Sequence, residues 1–211
     1  LYHRGPDGQR HWISSDGKVG LGHARLSIID LTTGDQPIPN ENGRIHIVVN
    51  GELYGYEAIQ KELERSGHRL RTRSDSEIAL HLYEDLGPQC VHRLRGEFAF
   101  VLWDEIHRTL FAARDRFGIK PLFYSVHEGT LYLASEIKAL FAAGVPARWD
   151  EESVFHAVEF GGHPVRTLFD GVFSVPPGHY LLATDKHMHL NEYWDFDYPR
   201  ADPGLRPGSD A

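Results

Sequence analysis

The sequence has only one cysteine and no long apolar run, and these two absences exclude several classes of protein. Cys90 alone cannot form an internal disulfide framework, and a single thiol is typical of a reducing cytoplasm. The longest apolar run, FAFVLW at residues 98–103, is far shorter than the roughly 20 residues of a membrane-spanning helix. No basic segment followed by an apolar one opens the sequence. We therefore expect a cytoplasmic protein without membrane spans.

The sequence also has fewer basic than acidic residues. The 211 residues contain 22 Lys and Arg against 30 Asp and Glu, which gives a formal net charge of −8. The one basic run, RSGHRLRTR at residues 65–73, has acidic residues on both sides and is typical of a solvated surface. We expect no nucleic-acid partner.

The apolar pattern predicts antiparallel strands with helices in groups. Strands are predicted at residues 11–14, 19–23, 26–29, 98–103, 110–113, 122–126, 131–134, 178–183 and 187–193. Helices are predicted at residues 56–65, 74–86, 88–94, 136–143 and 151–160, with a capping box over residues 74–77. Because strands and helices do not alternate regularly, the predicted class is α+β. Runs such as FAFVLW lack alternation, which predicts two stacked sheets with both strand faces covered.

An Asn-Gly pair, Asn50-Gly51, lies within IHIVVNGELY at residues 45–54. Asn-Gly between apolar runs is a strong hairpin signal, so one hypothesis is a simple turn. The other hypothesis is that the side-chain amide and a neighbouring backbone N–H belong to a binding site. Both hypotheses stay open on local pattern alone.

Arg25 and Asp75 offer opposite charges that could meet one ligand. Arg25 begins an apolar run; it is either a surface ion-pair residue or a planar fork for a substrate carboxylate. Asp75, near the start of a predicted helix, either stabilises the helix dipole or receives an ammonium group. Together the two functional alternatives would form a clamp for an α-amino acid.

Other candidate sites are weak. His187 and His189 share one face of a predicted strand, but no third ligand has a convincing spacing, so we expect no metal. Cys90 is predicted to fill the core rather than to react. Neither a glycine-rich phosphate loop nor a G-x-S-x-G motif is present.

Seven motifs in order carry a resemblance to a known family. They are HRGPDG (3–8), GHARLSIIDL (22–31), VVNGELY (48–54), RSDSE (73–77), GEFAFVLWD (96–104), ARDRFGIKPLFY (113–124) and LYLASEIKAL (131–140). Together they resemble the glutaminase domain of glutamine-hydrolysing asparagine synthetases, which are class II glutamine amidotransferases with an N-terminal nucleophile. The resemblance implies a four-layer α-β-β-α sandwich of two antiparallel sheets. It places an amidotransferase domain without its first strand at residues 1–198, and a linker toward a synthetase domain at 199–211.

The resemblance also implies roles for particular residues. Arg25 would hold the α-carboxylate of glutamine, and Asp75 with Glu52 would hold the α-ammonium group. The edge beside Arg25 would be lined by Leu26, Ser27, Ile28 and Ile29. Asn50 and Gly51 would form an oxyanion hole, with the predicted turn aiming both donors.

The implied reaction is glutamine hydrolysis by an N-terminal cysteine, with ammonia passed to a synthetase domain that amidates aspartate. That cysteine is absent from the sequence, and Cys90 lies in the wrong motif, so this chain alone is expected to be inactive. The expected partners are glutamine, the C-terminal synthetase domain and a possible second copy of the parent enzyme. No cofactor is expected in this domain; ATP and Mg²⁺ belong to the synthetase domain. The alternative is a nucleophile-less domain with a structural or interaction role in a related amide-forming synthetase.

Overall fold

The computed structural model describes residues 1–26, 30, 33–159 and 161–198. The strands are β1 Gly8–Ile13, β2 Gly20–Arg25, β3 Ile38–Pro39, β4 Ile45–Leu53, β5 Gly96–Asp104, β6 Thr109–Arg114, β7 Phe123–His127, β8 Thr130–Ala134, β9 Phe173–Ser174, β10 His179–Ala183 and β11 Met188–Glu192. The helices are α1 Tyr56–Arg65, α2 Glu77–Leu86, α3 Ile137–Ala142 and α4 Glu151–Glu159, with 3₁₀ turns at Tyr2–Arg4 and Gly87–His92. Within the described ranges, no helix is long and apolar enough to span a bilayer. The predicted linker at 199–211 lies outside the described residues.

In the part of the chain that the structure describes, the strands form three antiparallel sheets. A six-stranded sheet has the order β11-β10-β6-β5-β4-β3, a three-stranded sheet has the order β8-β7-β9, and β1 pairs with β2. Helices α1 and α2 pack on one face of the large sheet, and the three-stranded sheet packs on the other. Helix α3 covers the far side of the three-stranded sheet through Leu140. These contacts confirm the predicted α-β-β-α layering.

Strand β5 shows why the apolar run does not alternate. Phe98, Phe100 and Leu102 face the helices, while Ala99 and Val101 face the second sheet. Successive side chains of a strand point to opposite faces, so a strand that is covered on both faces is apolar throughout. The prediction that both faces are covered is confirmed.

The predicted turn at Asn50-Gly51 is wrong. Strand β4 runs through both residues to Leu53, and it pairs with β5 along its whole length, with Gly51 opposite Phe98. Gly51 adopts a φ of 143°. A Cβ at this position would lie 2.0 Å from the carbonyl oxygen of Glu97. The glycine is therefore needed for close approach of two strands, not for a turn.

The predicted capping box at the start of α2 is also wrong. The helix begins at Glu77, and no side chain caps it. Glu77 instead accepts the backbone N–H groups of Arg71 and Thr72 at 2.7 and 2.6 Å, so its carboxylate fixes the loop before the helix. One helical turn later, burial alone would lower the pKa of His81, but hydrogen bonds to Glu77 and Glu84 outweigh it and raise that pKa to about 9.

The region around the first predicted strands and the basic run also differs from expectation. Leu26 follows the end of β2, and the rest of the strand predicted at 26–29 lies outside the described residues. The basic run at 65–73 is not uniformly solvated, because His68 is only 14 % exposed at its side chain and contacts Glu41 and Asp85. Contacts with acidic side chains distant in sequence draw this histidine inward.

Cys90 is a core residue, as predicted, and it should be chemically inert in the folded protein. Its side chain is fully buried, and this burial raises the pKa of the thiol to about 12. At pH 8 we expect alkylation by iodoacetamide to be at least about 10³-fold slower than in denaturant, because the thiolate is the reactive form. Mass spectrometry of timed reactions would check this. Complete labelling of the native protein within minutes would contradict the buried placement.

Candidate active site

A cavity of about 550 Å³ opens where the end of β2, the middle of β4 and the loop before α2 meet. All the predicted site residues that the structure describes line it, namely Arg25, Leu26, Asn50, Gly51, Glu52 and Asp75. The remaining predicted residues, Ser27, Ile28 and Ile29, lie outside the described residues. Residues separated by up to 50 positions in the sequence therefore line one cavity.

Arg25 is held at the cavity in a buried position. It is 8 % exposed, and its Nη1 lies 3.0 Å from Oδ1 of Asp35, while Nη2 donates to the Asp30 carbonyl. A Cβ at residue 34 would lie 2.7 Å from Nη2, so Gly34 leaves the room that the guanidinium occupies. Arg25 does form an ion pair, with Asp35, but its guanidinium is buried. The interpretation of Arg25 as a surface residue is therefore wrong.

Asp75 is fixed by the end of β4. It is 3 % exposed, and its Oδ2 accepts the backbone N–H of Leu53 at 2.6 Å, while Oδ1 accepts the Ser74 hydroxyl at 3.2 Å. The carboxylate thus joins the strand that carries Asn50 to the loop before α2. Asp75 lies before the first residue of α2, and its carboxylate accepts an N–H group of β4 rather than one of the helix. Its contacts therefore differ from those of a residue that stabilises the helix dipole.

Gln36 positions β4 beside the cavity, and the sequence analysis missed it. Its Oε1 accepts the Val49 N–H at 2.6 Å, and its Nε2 donates to the Val49 carbonyl at 3.2 Å. This amide satisfies both backbone groups of the residue before Asn50. Gln36 lies in a polar stretch of the sequence with two nearby prolines, Pro37 and Pro39, and no local pattern there distinguishes a buried glutamine.

Further ionisable residues line the cavity, among them His23, Glu97 and Lys120. Lys120 Nζ lies 3.3 Å from Oε1 of Glu97, which adds a charge pair to the wall. His23, on β2, has its pKa lowered chiefly by burial, so a neutral imidazole is favoured there. Glu97 and Lys120 lie within motifs of the resemblance, but no spacing rule brought them together beforehand.

The sequence matches the glutamine amidotransferase domain family over residues 1–194. The chain belongs to this family. The family assignment made from the seven motifs is therefore confirmed. Three of these motifs supply Arg25, Asn50 and Asp75 to the cavity.

Curated relatives of this amidotransferase domain are longer proteins. Amidase chry2 of Gibberella zeae is 46 % identical over 94 % of this chain and 30 % of its own length. Amidase chyE of Penicillium rubens is 44 % identical over 93 % of this chain and 29 % of its own length. The glutamine-hydrolysing asparagine synthetase 3 of Bacillus subtilis is 37 % identical over 93 % of this chain and 33 % of its length. The chain thus spans about a third of these relatives.

Solved structures support the fold of the amidotransferase domain. Glutamine phosphoribosylpyrophosphate amidotransferase from B. subtilis, complexed with ADP and GMP, aligns with a TM-score of 0.60 at 21 % identity. The alignment covers 83 % of this chain and 35 % of that one. A structure described as the allosteric regulatory enzyme of purine biosynthesis aligns with a TM-score of 0.61 at 22 % identity, over the same shares of the two chains. At these identities the likeness establishes the architecture.

Proposed function

We propose that the cavity binds glutamine and that the domain releases ammonia from its side chain for an amide-forming enzyme. The observation that carries this proposal is the convergence of Arg25, Asp75 and the Asn50-Gly51 pair on one cavity. A cation, an anion and amide donors are the groups that an α-amino acid with a reacting side-chain amide requires.

The two charged residues would hold the common part of the substrate. Arg25 presents a planar guanidinium, which suits the α-carboxylate. Asp75, with Glu52 beside it in the cavity, would accept the α-ammonium group. Leu26 would line the edge next to the carboxylate.

The Asn50 side chain and the Gly51 N–H would stabilise the oxyanion. When a nucleophile attacks the side-chain amide carbon of glutamine, negative charge develops on the amide oxygen. Preorganised donors aimed at that oxygen lower the barrier, because they need no reorganisation as the charge forms. Pairing of β4 with β5 and the Gln36 contacts to Val49 would keep these donors in place.

The nucleophile of the proposed reaction is an N-terminal cysteine, which is not among the 211 residues. Its thiolate would attack the amide carbon, ammonia would leave, and water would cleave the thioester to glutamate. Cys90 cannot serve, because it is fully buried and its thiol pKa is raised. Leu1 lines the cavity, so residues joined to its amino end would lie next to the bound substrate. The 211-residue chain alone is then expected not to hydrolyse glutamine.

The proposed destination of the ammonia is a synthetase domain that uses ATP and Mg²⁺ to amidate aspartate in the cytoplasm. Support comes from the asparagine synthetases among the relatives. The two relatives at higher identity are named amidases, a name that specifies no acceptor for the ammonia. A purely structural, nucleophile-less role is the less supported alternative, because the cavity keeps the full set of charged and amide residues.

Arg25→Lys in the full-length gene product tests the clamp. Lysine keeps the charge but loses the bidentate fork, so the KM for glutamine should rise about 10- to 100-fold, as expected for a lost hydrogen bond between charged groups. The measurement is glutamate release at varied glutamine concentration. Arg10→Lys is the matched control, because Arg10 also pairs with Asp35, at 2.7 Å, but does not line the cavity. Equal KM values for the two variants would remove Arg25 from the clamp.

A further inference from the structure

Four side chains of metal-ligand type meet beside α2, away from the cavity. Glu41 follows β3, His68 follows α1, and His81 and Glu84 lie one helical turn apart on α2. One ligand atom from each of the four lies within 4.8 Å of the others. None of the four lines the glutamine cavity.

The distances between these ligand atoms suit one small cation. His68 Nδ1 lies 3.4 Å from Glu41 Oε1 and 3.8 Å from Glu84 Oε2. His81 Nδ1 lies 3.7 Å from Glu41 Oε1 and 2.8 Å from Glu84 Oε2. Ligands at zinc bond lengths of about 2.0–2.2 Å, arranged tetrahedrally, are separated by about 3.3–3.6 Å. Four of the six separations are thus 2.8–3.8 Å, and all six are within 4.8 Å, so a bound ion would widen the 2.8 Å pair and draw the more distant atoms closer.

The outer contacts of both imidazoles also match a metal centre. His68 Nε2 lies 3.0 Å from Oδ1 of Asp85, and His81 Nε2 lies 3.2 Å from Oε1 of Glu77. A carboxylate that accepts the Nε2 hydrogen leaves Nδ1 as the metal-binding nitrogen; in His81 a metal would replace the Nδ1 hydrogen that now bonds to Glu84 Oε2 at 2.8 Å. Metal-bound histidines in proteins typically have this second contact.

Further donors orient the two carboxylates. Asn40 Nδ2 donates to Oε1 of Glu84 at 2.7 Å, which leaves Oε2 for the cluster. The Arg69 N–H donates to Oε1 of Glu41 at 2.9 Å. Every one of the four ligand side chains is therefore held by a partner outside the cluster.

We propose that Glu41, His68, His81 and Glu84 bind one Zn²⁺ ion in a structural site. Two imidazoles and two carboxylates in a four-coordinate arrangement suit zinc better than Mg²⁺ or Ca²⁺, which prefer more oxygen ligands. Four protein ligands leave no open position, so the ion would be structural rather than catalytic.

The site would join three segments around the loop that leads to Asp75. Residues 69–76 connect His68 to α2, and Glu77 links that loop to His81 through the N–H groups of Arg71 and Thr72. A zinc ion would therefore restrain both ends of the segment that presents Asp75 to the cavity. Without zinc, the site would instead hold a proton on His81, whose ring nitrogens are hydrogen-bonded to Glu77 and Glu84.

The test is zinc binding by the 211-residue chain after treatment with a chelator. We expect one tightly bound Zn²⁺ per chain by elemental analysis and by competition with a zinc indicator. The melting temperature should rise when zinc is restored, because the ion binds only the folded arrangement. Co²⁺ should give the intense visible absorption of tetrahedral coordination, a readout that does not depend on glutamine.

Variants assign the zinc to these residues. His68→Ala and Glu84→Gln should each weaken zinc affinity about 100-fold or more, and Asp85→Asn, which only loses an outer contact, about 10- to 100-fold. The matched control is the double variant His187→Ala/His189→Ala, which removes the other close pair of histidines, whose ring centroids are 6.1 Å apart. This control should retain the affinity of the unmodified chain.

Two results would overturn the proposal. One is the absence of stoichiometric binding at micromolar zinc, which would leave a proton-sharing histidine–carboxylate cluster. The other is an affinity in His68→Ala and Glu84→Gln equal to that of the unmodified chain, or lost only in the His187/His189 control. Glu84→Gln keeps the shape of the side chain, so the assignment does not depend on the folding of His68→Ala.

Discussion

Asn50→Ala in the full-length gene product should lower the turnover of glutamine hydrolysis by about 10²–10³-fold, the usual cost of one oxyanion donor. The effect should appear in kcat, because the amide is proposed to contact an oxygen that becomes charged only during attack. The KM should change little, since Arg25 and Asp75 would still hold the α-carboxylate and the α-ammonium group. Steady-state glutamate release at saturating and limiting glutamine measures both quantities.

Asn191→Ala is the matched control for this experiment. Asn191 lies on the edge strand β11 and does not line the cavity, so its loss should leave turnover unchanged. An Asn50→Ala enzyme with normal turnover would remove Asn50 from the oxyanion hole. A large increase in KM at normal kcat would instead assign Asn50 to substrate binding.

Gly51→Ala should destabilise the protein severely, by more than about 4 kcal/mol, the range reached only by the most disruptive single substitutions. Its Cβ would lie 2.0 Å from the Glu97 carbonyl oxygen and 2.7 Å from the Phe98 Cα, and both are backbone atoms that cannot move alone. The residue also has a φ of 143°, a conformation that alanine rarely adopts. Chemical denaturation, or loss of soluble protein, would report the effect.

Gly43→Ala separates the two causes of that strain. Gly43 also has a positive φ, of 69°, but a Cβ there would meet no atom of the described residues within 4 Å. It should therefore cost only the left-handed conformation, about 1–2 kcal/mol. If Gly51→Ala cost no more than Gly43→Ala, the close approach of β4 to β5 at this point would be wrong.

The layering of the fold could be predicted because it follows from side-chain pattern. Strand β5 is apolar along FAFVLW since it lies between two layers, and a pattern of that kind is visible in any sequence. Helix α1 was predicted at its observed bounds, residues 56–65, because its apolar positions repeat with helical spacing before a glycine.

The turn at Asn50-Gly51 could not be rejected from the sequence, because the rules for Asn-Gly consider only neighbouring residues. The decisive contact is with Glu97 and Phe98 on β5, more than 40 positions away. The capping box failed for a different reason, because Glu77 bonds to backbone N–H groups five and six positions before it rather than to the helix start.

The residues of the site also divide into those that the sequence could identify and those that it could not. Arg25, Asn50 and Asp75 could be predicted from the chemistry of their side chains together with the family resemblance. The structure brings all three to one cavity. Gln36, the Glu97–Lys120 pair and the cluster of Glu41, His68, His81 and Glu84 were missed, because each depends on contacts between separate segments. Histidine spacing drew attention only to His187 and His189, which are close in sequence and lack a third ligand, and so led to the expectation of no metal.

A crystal structure of the protein soaked with glutamine tests the central claim most directly. We expect the α-carboxylate against the Arg25 guanidinium, the ammonium group at Asp75, and the side-chain amide oxygen facing Asn50 and the Gly51 N–H. Glutamine bound elsewhere, or an empty cavity at a concentration that saturates the enzyme, would contradict it.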